Sequence, residues 1–351
     1  MKADGKERLN TSGRGRLSVF AGALLKEWER LALPTGSSRV VVAVSGGADS
    51  VALVLGLVEL VRAGRVGVGL VMAHLDHGLR EESVEDARWV EELAGELGVE
   101  VEIGRARVKD AGGNLEQAAR GARYEFLGKV AQKCGARVVV TGHTMDDQAE
   151  TVLLRLVRGS GAEGLGGMEA VRVLDVESGV KLARPLLRWA RRAETEEFCR
   201  GRGVVVRRDA MNEDESFARV RVRRRVLPLL LTFNPRAVEA LARAAELLRE
   251  DAETLNAAAH QLLEAACGRE EGAGGVAALD VKTLLSAPQA LRRRALRLWL
   301  ARGRGDLRRL ELAHLQGVEK LLEGERGGRV AELPGGSFVE RRRGHLTFHV
   351  K

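Results

Sequence analysis

Cysteine is scarce in this chain: Cys134, Cys199 and Cys267 stand far apart and no C-x-x-C pair occurs. That spacing argues against a disulfide framework and against a thiolate zinc or iron–sulfur site. A reducing cytoplasm is the compartment to expect. No uninterrupted apolar run comes near the roughly 18 residues of a membrane span. Residues Met1 to Arg16 are polar and rich in Gly and Arg, without the apolar core of a signal peptide. A disordered tail over 1–16 and a soluble protein with no membrane partner are therefore expected. Aromatic residues make up only 3% of the chain, so stacking on unpaired bases would fall to few side chains, such as Phe217 or Phe233. Acids are outnumbered, with 57 Lys and Arg against 49 Asp and Glu, a net charge of +8. The excess favours an anionic partner such as nucleic acid, although surplus Arg also arises as a compositional bias.

Against these absences stands a regular alternation. Length alone, 351 residues, leaves room for two domains. Apolar spacing predicts a helix from Leu17 to Leu31, broken by Pro34-Thr35-Gly36 before a strand at Val40 to Val44. A helix from Val51 to Val61, a strand from Val66 to Ala73 and a helix from Glu85 to Leu97 follow. Next come a strand from Val99 to Ile103, a helix from Leu115 to Cys134 and a strand from Arg137 to Thr141. Continuous apolar strands between helices predict an α/β domain with a mostly parallel, Rossmann-like sheet covered on both faces. It is expected over 17–214. Composition then shifts to Ala, Leu, Arg and Glu, predicting a mainly helical domain over 215–351. Its helices are placed at Ser216 to Leu231, Pro235 to Cys267, Ala287 to Ala301 and Leu307 to Glu323. Gly268 to Gly275 reads as a linker. Short strands at Arg329 to Leu333, Ser337 to Arg341 and His345 to Val350 end the chain.

The first strand runs into Ser45-Gly46-Gly47-Ala48-Asp49-Ser50. Two glycines let backbone approach a polyphosphate, and the amides opening the next helix point at the anion. The Walker Lys is missing, and G-x-G-x-x-G is not met. In place of that Lys an acid, Asp49, sits beside Ser45 and Ser50, where it could hold Mg²⁺ bridging phosphate oxygens. An ordinary strand-to-helix turn capped by Asp and Ser would look the same locally.

Two more polar clusters directly follow strands, at His74-Leu75-Asp76-His77 and Gly142-His143-Thr144-Met145-Asp146-Asp147. Ligands of such sheets bind outside the carboxyl ends of the strands, so the three segments should share one cleft. Asp146, Asp147 and Glu150 gather carboxylates that need a cation, or else cap a helix N-terminus. His74, Asp76 and His77 are a weak metal pattern and read better as hydrogen-bonding residues at a nucleotide. Glu116, Arg120 and Arg123 share a helical face, either as an ion-pair ladder or as arginines that neutralise phosphate. Basic runs at Arg219, Arg221, Arg223, Arg224 and Arg225, at Arg292, Arg293 and Arg294 with Arg297 and Arg308-Arg309, and at Arg341 to Arg343 read singly as solvated helix faces. Together, in one domain, they favour a phosphate-tracking surface.

S-G-G-A-D-S at Ser45 to Ser50 resembles the PP-loop of the ATP pyrophosphatase superfamily. With A-H-L-D-H-G-L-R at Ala73 to Arg80, E-Q-A-A-R-G-A-R-Y-E-F-L at Glu116 to Leu127 and T-G-H-T-M-D-D-Q-A-E-T-V-L-L-R-L-V-R-G-S-G at Thr141 to Gly161, the chain resembles the bacterial tRNA(Ile)-lysidine synthases. R-P-L-L at Arg184 to Leu187, D-A-M-N-E-D at Asp209 to Asp214, the arginine run ending at Pro228 and L-P-G-G-S-F-V-E-R at Leu333 to Arg341 extend the likeness over nearly the whole chain beyond the tail. Some members of that family carry a further C-terminal domain, which the likeness does not include.

The resemblance implies a ligase that joins L-lysine to C2 of the wobble cytidine in a tRNA with a CAU anticodon, using ATP and releasing AMP and pyrophosphate. Ser45 to Ser50, with His74, Asp76 and His143, would bind ATP, and Asp49 with an acid of the second cluster would hold Mg²⁺. Arg120 and Arg123 would stabilise charge, and Asp146, Asp147 and Glu150 would serve lysine or metal. The helical domain would bind tRNA. A PP-loop tRNA thiolase and a non-catalytic nucleotide-sensing protein are the alternatives.

Overall fold

The computed structural model describes residues 16–76, 78, 83–106, 115–207, 214–271, 276–307, 309–323 and 328–350. The expected tail up to residue 15, His77, Arg80, most of the D-A-M-N-E-D segment and Arg308 lie outside these residues. The chain divides into two compact units, one ending at Glu246 and the other Leu247–Lys351.

In the first unit α1 (Val19–Arg30) precedes β1 (Arg39–Ala43), α2 (Ala48–Arg62), β2 (Gly69–Asp76), α3 (Ser83–Leu97), β3 (Glu100–Arg105), α4 (Leu115–Lys133), β4 (Val138–Thr141) and α5 (Met145–Val157). A short α6 (Ala162–Leu165), β5 (Val171–Val173), β6 (Lys181–Ala183) and α7 (Arg192–Gly201) follow. The sheet order is β3-β2-β1-β4-β6-β5, parallel except where β5 meets β6. Because successive side chains of a strand point to opposite faces, Val40 and Val42 enter one core with α1, α2 and α3. Val41 enters the other core, with Leu127 and Val130 of α4. Both faces are covered, which is why β1 could be read as an unbroken valine run. The helix after the loop, α2, packs against both α1 and α7, so nearly every side chain from Ser50 to Leu60 is buried. Each of its fully buried leucines and valines contributes about 1.5–3 kcal/mol before chain entropy is counted.

Beyond the sheet, α8 (Ala218–Arg221) continues through a π-helical turn, Val222–Val226, into α9 (Leu227–Phe233), and α10 (Ala237–Ala266) follows. The widened turn has a local cause. Pro228 stands just past it, lacks an N–H, and its ring would collide with the carbonyl four residues earlier in a regular α-helix. Leu227 accordingly donates to the Val222 carbonyl, five residues back. Val222, Leu227 and Val238 pack with Met145, Ala149 and Leu153 of α5. This packing carries the first compact unit past the junction expected at 214, to Glu246.

The second unit holds β7 (Cys267–Glu271), β8 (Ala277–Asp280), α11 (Val281–Leu285), α12 (Gln289–Arg304), α13 (Leu312–Leu321), β9 (Arg329–Leu333), β10 (Ser337–Arg342) and β11 (His345–Val350). Its antiparallel sheet has the order β7-β8-β11-β10-β9. Trp299 of α12 is buried edge-on to Phe348, and its Nε1 donates to the Ala277 carbonyl at 2.8 Å. The glycine-rich stretch expected as a linker begins instead as strand β7, its remainder, 272–275, lying outside the described residues. Among the described residues no helix is long and apolar enough to cross a membrane.

Candidate active site

The sheet reverses its winding between β1 and β4, so a cleft opens beyond the carboxyl ends of these two neighbours. Ser45 to Ser50 fills the end of β1. Gly46 turns the chain at φ +87°, a region that L side chains rarely adopt, and its carbonyl accepts the Arg207 N–H at 3.0 Å. Gly47 is the N-cap of α2, and no side chain caps it. The first amides of α2 are thus presented at a helix N-terminus, where an anion is favoured. Ser50 Oγ accepts the Ser45 N–H at 3.1 Å and donates to the Gly47 carbonyl at 3.0 Å, fixing the loop from within.

Gly142 joins this loop to the next motif. A Cβ there would stand 2.6 Å from the Asp49 carbonyl oxygen and 2.8 Å from the Ser50 Cα. Only glycine lets the end of β4 touch the start of α2.

That contact brings α5 alongside Asp49. On α5, Glu150 has no side-chain exposure and receives Arg219 Nε at 2.7 Å, Arg223 Nε at 2.7 Å and Arg192 Nη1 at 3.3 Å. Asp147 accepts from Arg219 at 3.0 Å, from Arg192 at 3.2 Å and, as the third residue of the helix, from the Thr144 N–H at 2.9 Å. Burial pushes the Asp147 carboxyl up, but Arg219, His143 and Arg192 outweigh it and hold the group below the usual carboxylate range. Asp146 accepts Arg191 Nε at 3.1 Å and the Arg192 N–H at 2.8 Å, while Arg191 reaches Glu239 at 2.7 Å. Asp49 takes the Thr195 hydroxyl and lies 3.7 Å from Arg192 Nε. Burial and then the nearby Asp147 raise its pKa to about 6, against the pull of Thr195 and Arg192. Asp49 is thus the carboxylate of this cluster whose charge is least compensated, whereas Asp147 and Glu150 are already neutralised by arginine.

Two cavities flank the arginines. One, of about 260 Å³, is lined by Asp146, Arg192, Glu196 and Arg223 with Leu227, Pro228, Leu231 and Val238. The other, of about 250 Å³, is lined by Arg120, Arg155, Arg158 and Arg219 with Thr151 and Met168. The first pairs acids with an apolar wall; the second is basic.

The remaining expected residues distribute unevenly. His74 is buried on β2 with Nδ1 2.9 Å from the Val44 carbonyl, and Asp76 accepts the Gly78 N–H at 2.7 Å and Arg105 Nε at 3.1 Å. Both shape the strand ends beside the loop. His143 pairs with Thr141 Oγ1 at 2.8 Å, and burial holds its imidazole well below the usual histidine range. Arg120 lies over the Tyr124 ring and borders the basic cavity, whereas Arg123, also exposed, does not line it. The arginine run after 218 is split: Arg219 and Arg223 turn into the acids, Arg221 holds the Glu215 and Ser216 carbonyls, and Arg224 and Arg225 pair outward with Glu215. Arg293 donates to Glu319 at 2.7 Å and Arg294 to Asn256 at 2.9 Å inside the second unit, and Arg292 is half-buried beside them. Among the described residues no group of three or more His, Cys, Asp or Glu is arranged to hold a metal.

Sequence reading missed Thr195, Arg191, Arg192 and Glu239. All but Glu239 sit at the start of α7, a short helix whose sequence is almost wholly polar. The one available signal was the Arg191-Arg192 pair shortly after R-P-L-L. Cys199, also on α7, donates to the Ala48 carbonyl at 3.5 Å, and its thiol is pushed up to about 12 by burial and by Asp49. It sits beside the loop as an inert side chain.

Comparison with known proteins gives the family. The PP-loop domain family matches residues 22–230, and the TilS substrate binding domain matches residues 279–347. The tRNA(Ile)-lysidine synthase of Geobacter sulfurreducens is 40% identical over 88% of this chain, which spans 64% of that longer protein. The Salinispora tropica tRNA(Ile)-lysidine synthase is 41% identical over 88% of this chain and 90% of its own length. The U34-tRNA thiolase NcsA of Methanococcus maripaludis, solved with its [4Fe-4S] cluster, shares the fold at a TM-score of 0.56 and 17% identity. That match covers 66% of this chain and 78% of NcsA. With a PP-loop at the switch of a parallel sheet, and relatives of one kind matching it nearly end to end, the chain belongs to the tRNA(Ile)-lysidine synthase family.

Proposed function

We propose that this protein is a cytoplasmic ATP-dependent ligase that joins L-lysine to C2 of the wobble cytidine of a CAU-anticodon tRNA, releasing AMP and pyrophosphate. The observation that carries the reading is Asp49. It stands at the head of α2 in a lysine-free phosphate loop, with its carboxyl raised to about 6 by burial and by Asp147. A loop of this kind grips a triphosphate through backbone amides and an acid-held metal, which suits attack at the α-phosphate.

The residues divide the work as follows. Ser45 to Ser50 hold the phosphates through the amides of α2. Asp49 fits Mg²⁺ as a single protein ligand, in keeping with an ion usually held by one or two carboxylates plus phosphates and water. Bound there, it would neutralise phosphate charge. The expected partnership of Asp49 with Asp147 or Glu150 in holding metal is weakened by the arginines that occupy both acids.

Cytidine O2 attacks the α-phosphorus, pyrophosphate leaves, and Arg120 at the edge of the basic cavity offsets the charge. The lysine ε-amine, free of its proton, then bonds to C2, and AMP departs with O2. Lysine suits the 260 Å³ cavity, its methylenes against Leu227, Leu231 and Val238 and its ammonium toward Asp146 and Glu196. The ε-ammonium has an ordinary pKa near 10.4, so a proton acceptor is required. Asp147, held below the usual carboxylate range, is better fitted to bind a cation than to take that proton.

A thiolase reading would need reactive sulfur at the loop. The cysteine nearest to it is the inert Cys199, and the three cysteines are unpaired. The deciding experiment incubates protein, tRNA, lysine and α-labelled ATP, then weighs the nucleosides. The expected result is AMP with a lysine-bearing cytidine. ADP and phosphate as the main tRNA-dependent products, or a sulfur-bearing nucleoside, would overturn the proposal.

A further inference from the structure

The chain carries seven Phe, four Trp and one Tyr. Eleven of these side chains are buried or half-buried, and Phe233 alone is exposed, at 80%. It ends α9. On the same flank lie Leu229 at 58% and Val226 at 38% exposure, spaced four and seven residues before it, so the three form one stripe. The opposite flank of α9 packs inward: Leu227 is buried against α5, and Leu231 lines the 260 Å³ cavity. Cations adjoin the stripe along the chain, Arg224 and Arg225 being paired with Glu215. The Arg224 and Arg225 side chains are 51% and 69% exposed, and Arg236 is exposed just beyond the helix.

We propose that this stripe is a stacking platform for unpaired bases of the RNA loop that presents its cytidine to the lysine of the neighbouring cavity, with Phe233 against a base face and the adjoining arginines on the phosphates. The inference rests on the tRNA reading above. Chemistry at C2 and O2 of a pyrimidine requires that base to leave its stack, which deprives its loop neighbours of a partner. A ring with an open face beside arginines is the means by which proteins hold such bases. A protein partner is less well matched, because the core of a protein interface is depleted of charge whereas this stripe is three residues wide and bordered by guanidiniums.

The test compares wild type with Phe233→Ala and Phe233→Trp, using a short stem-loop RNA with a CAU loop and a blunt duplex of the same length. Phe233→Ala should weaken stem-loop binding about 5- to 100-fold, the range of one base stacked on an aromatic ring. It should leave the duplex affinity, the thermal midpoint and the slope of log affinity against log salt unchanged, because no charge is removed. Phe233→Trp should restore binding. Equal stem-loop affinities of wild type and Phe233→Ala, alongside intact lysidine formation, would overturn this inference and leave the function standing. A wild-type dimer that Phe233→Ala converts to monomer, with RNA affinity unchanged, would assign the stripe to a second copy of the chain and likewise overturn it. Failure of wild type to bind tRNA at all would remove both readings.

Discussion

Substituting Gly142 by Ala isolates the contact that joins the two motifs of the site. The added Cβ would meet the Asp49 oxygen at 2.6 Å, the Asp49 carbonyl carbon at 2.7 Å and the Ser50 Cα at 2.8 Å. All three are backbone atoms, so no side chain can swing aside. To restore ordinary contact the end of β4 and the head of α2 must part by the better part of an ångström. Overpacking of this kind costs about 1–3 kcal/mol. For a domain of this size that lowers the melting midpoint by roughly 2–12 °C. The same shift moves Asp49 relative to Asp147, and a misplacement near 1 Å is enough to cost about a hundredfold in turnover.

Gly47→Ala is the matched control. Its Cβ would find only Ser45 Oγ, at 3.7 Å, and its backbone is already extended. Stability should stay within about 1 kcal/mol, the loss of a glycine cap offsetting the gain in chain stiffness. The Michaelis constant for ATP should rise if phosphate lies against that backbone. Calorimetry and tRNA-dependent pyrophosphate release read the two effects. Wild-type melting and turnover in Gly142→Ala would refute the argument, because the motifs would then not be held at touching distance.

Three further outcomes are expected. Asp49→Asn should reduce adenylation by about a hundredfold or more with tRNA affinity retained. Because burial raises the folded pKa of Asp49 to about 6, above an unfolded value near 3.9, ionising it costs up to about 3 kcal/mol of stability, a cost that grows from pH 4 to 6 and is constant above. The stability of Asp49→Asn relative to wild type should therefore increase across that window, and a flat difference would deny the raised pKa. Glu150→Gln leaves Arg192, Arg219 and Arg223 with one anion fewer in a buried setting, and should destabilise by about 3–5 kcal/mol; an unchanged melting curve would show the cluster to be solvated. Replacing Arg224 and Arg225 by Ala should flatten the salt dependence of tRNA binding by roughly 0.7–0.9 for each phosphate left without its arginine, measured by filter binding, while an unchanged slope would place the phosphates elsewhere.

The parallel sheet was legible because its strands are buried on both faces and so carry unbroken valine runs, as at Val40 to Val42 and Val138 to Val140. The loop and the α5 acids were legible because each directly follows an apolar strand, at the sheet end where ligands bind. Helix α7 was not, since it is short and strongly polar and only Thr195 and Cys199 of its side chains are buried. Nor was the partnering of the acids. Arg219 and Arg223 lie some seventy residues from Glu150, and as a sequence they belong to a basic run that reads as one surface. The fold splits that run because the helix presents alternate arginines inward and outward. The expected junction at 214 followed composition, whereas the compact unit follows the packing of α5 against Val222, Leu227 and Val238.

The π-helical turn has the effect of one surplus residue in the count of an otherwise α-helical rod. Each residue of an α-helix advances the direction of its side chain by about 100°, so the surplus sets the phase between the arginines before the turn and the apolar residues after it. Remove one residue from Val222–Val226, or replace Pro228 so that the turn tightens, and the two ends fall out of step. Arg219 could still meet Glu150, but Leu227 and Leu231 would be carried off the cavity wall and Leu229 brought to the place of Pro228 on it. The helix works as a mechanical coupling with a fixed offset, and that offset, more than any single side chain on it, determines which of its faces looks toward the cavity and which toward solvent.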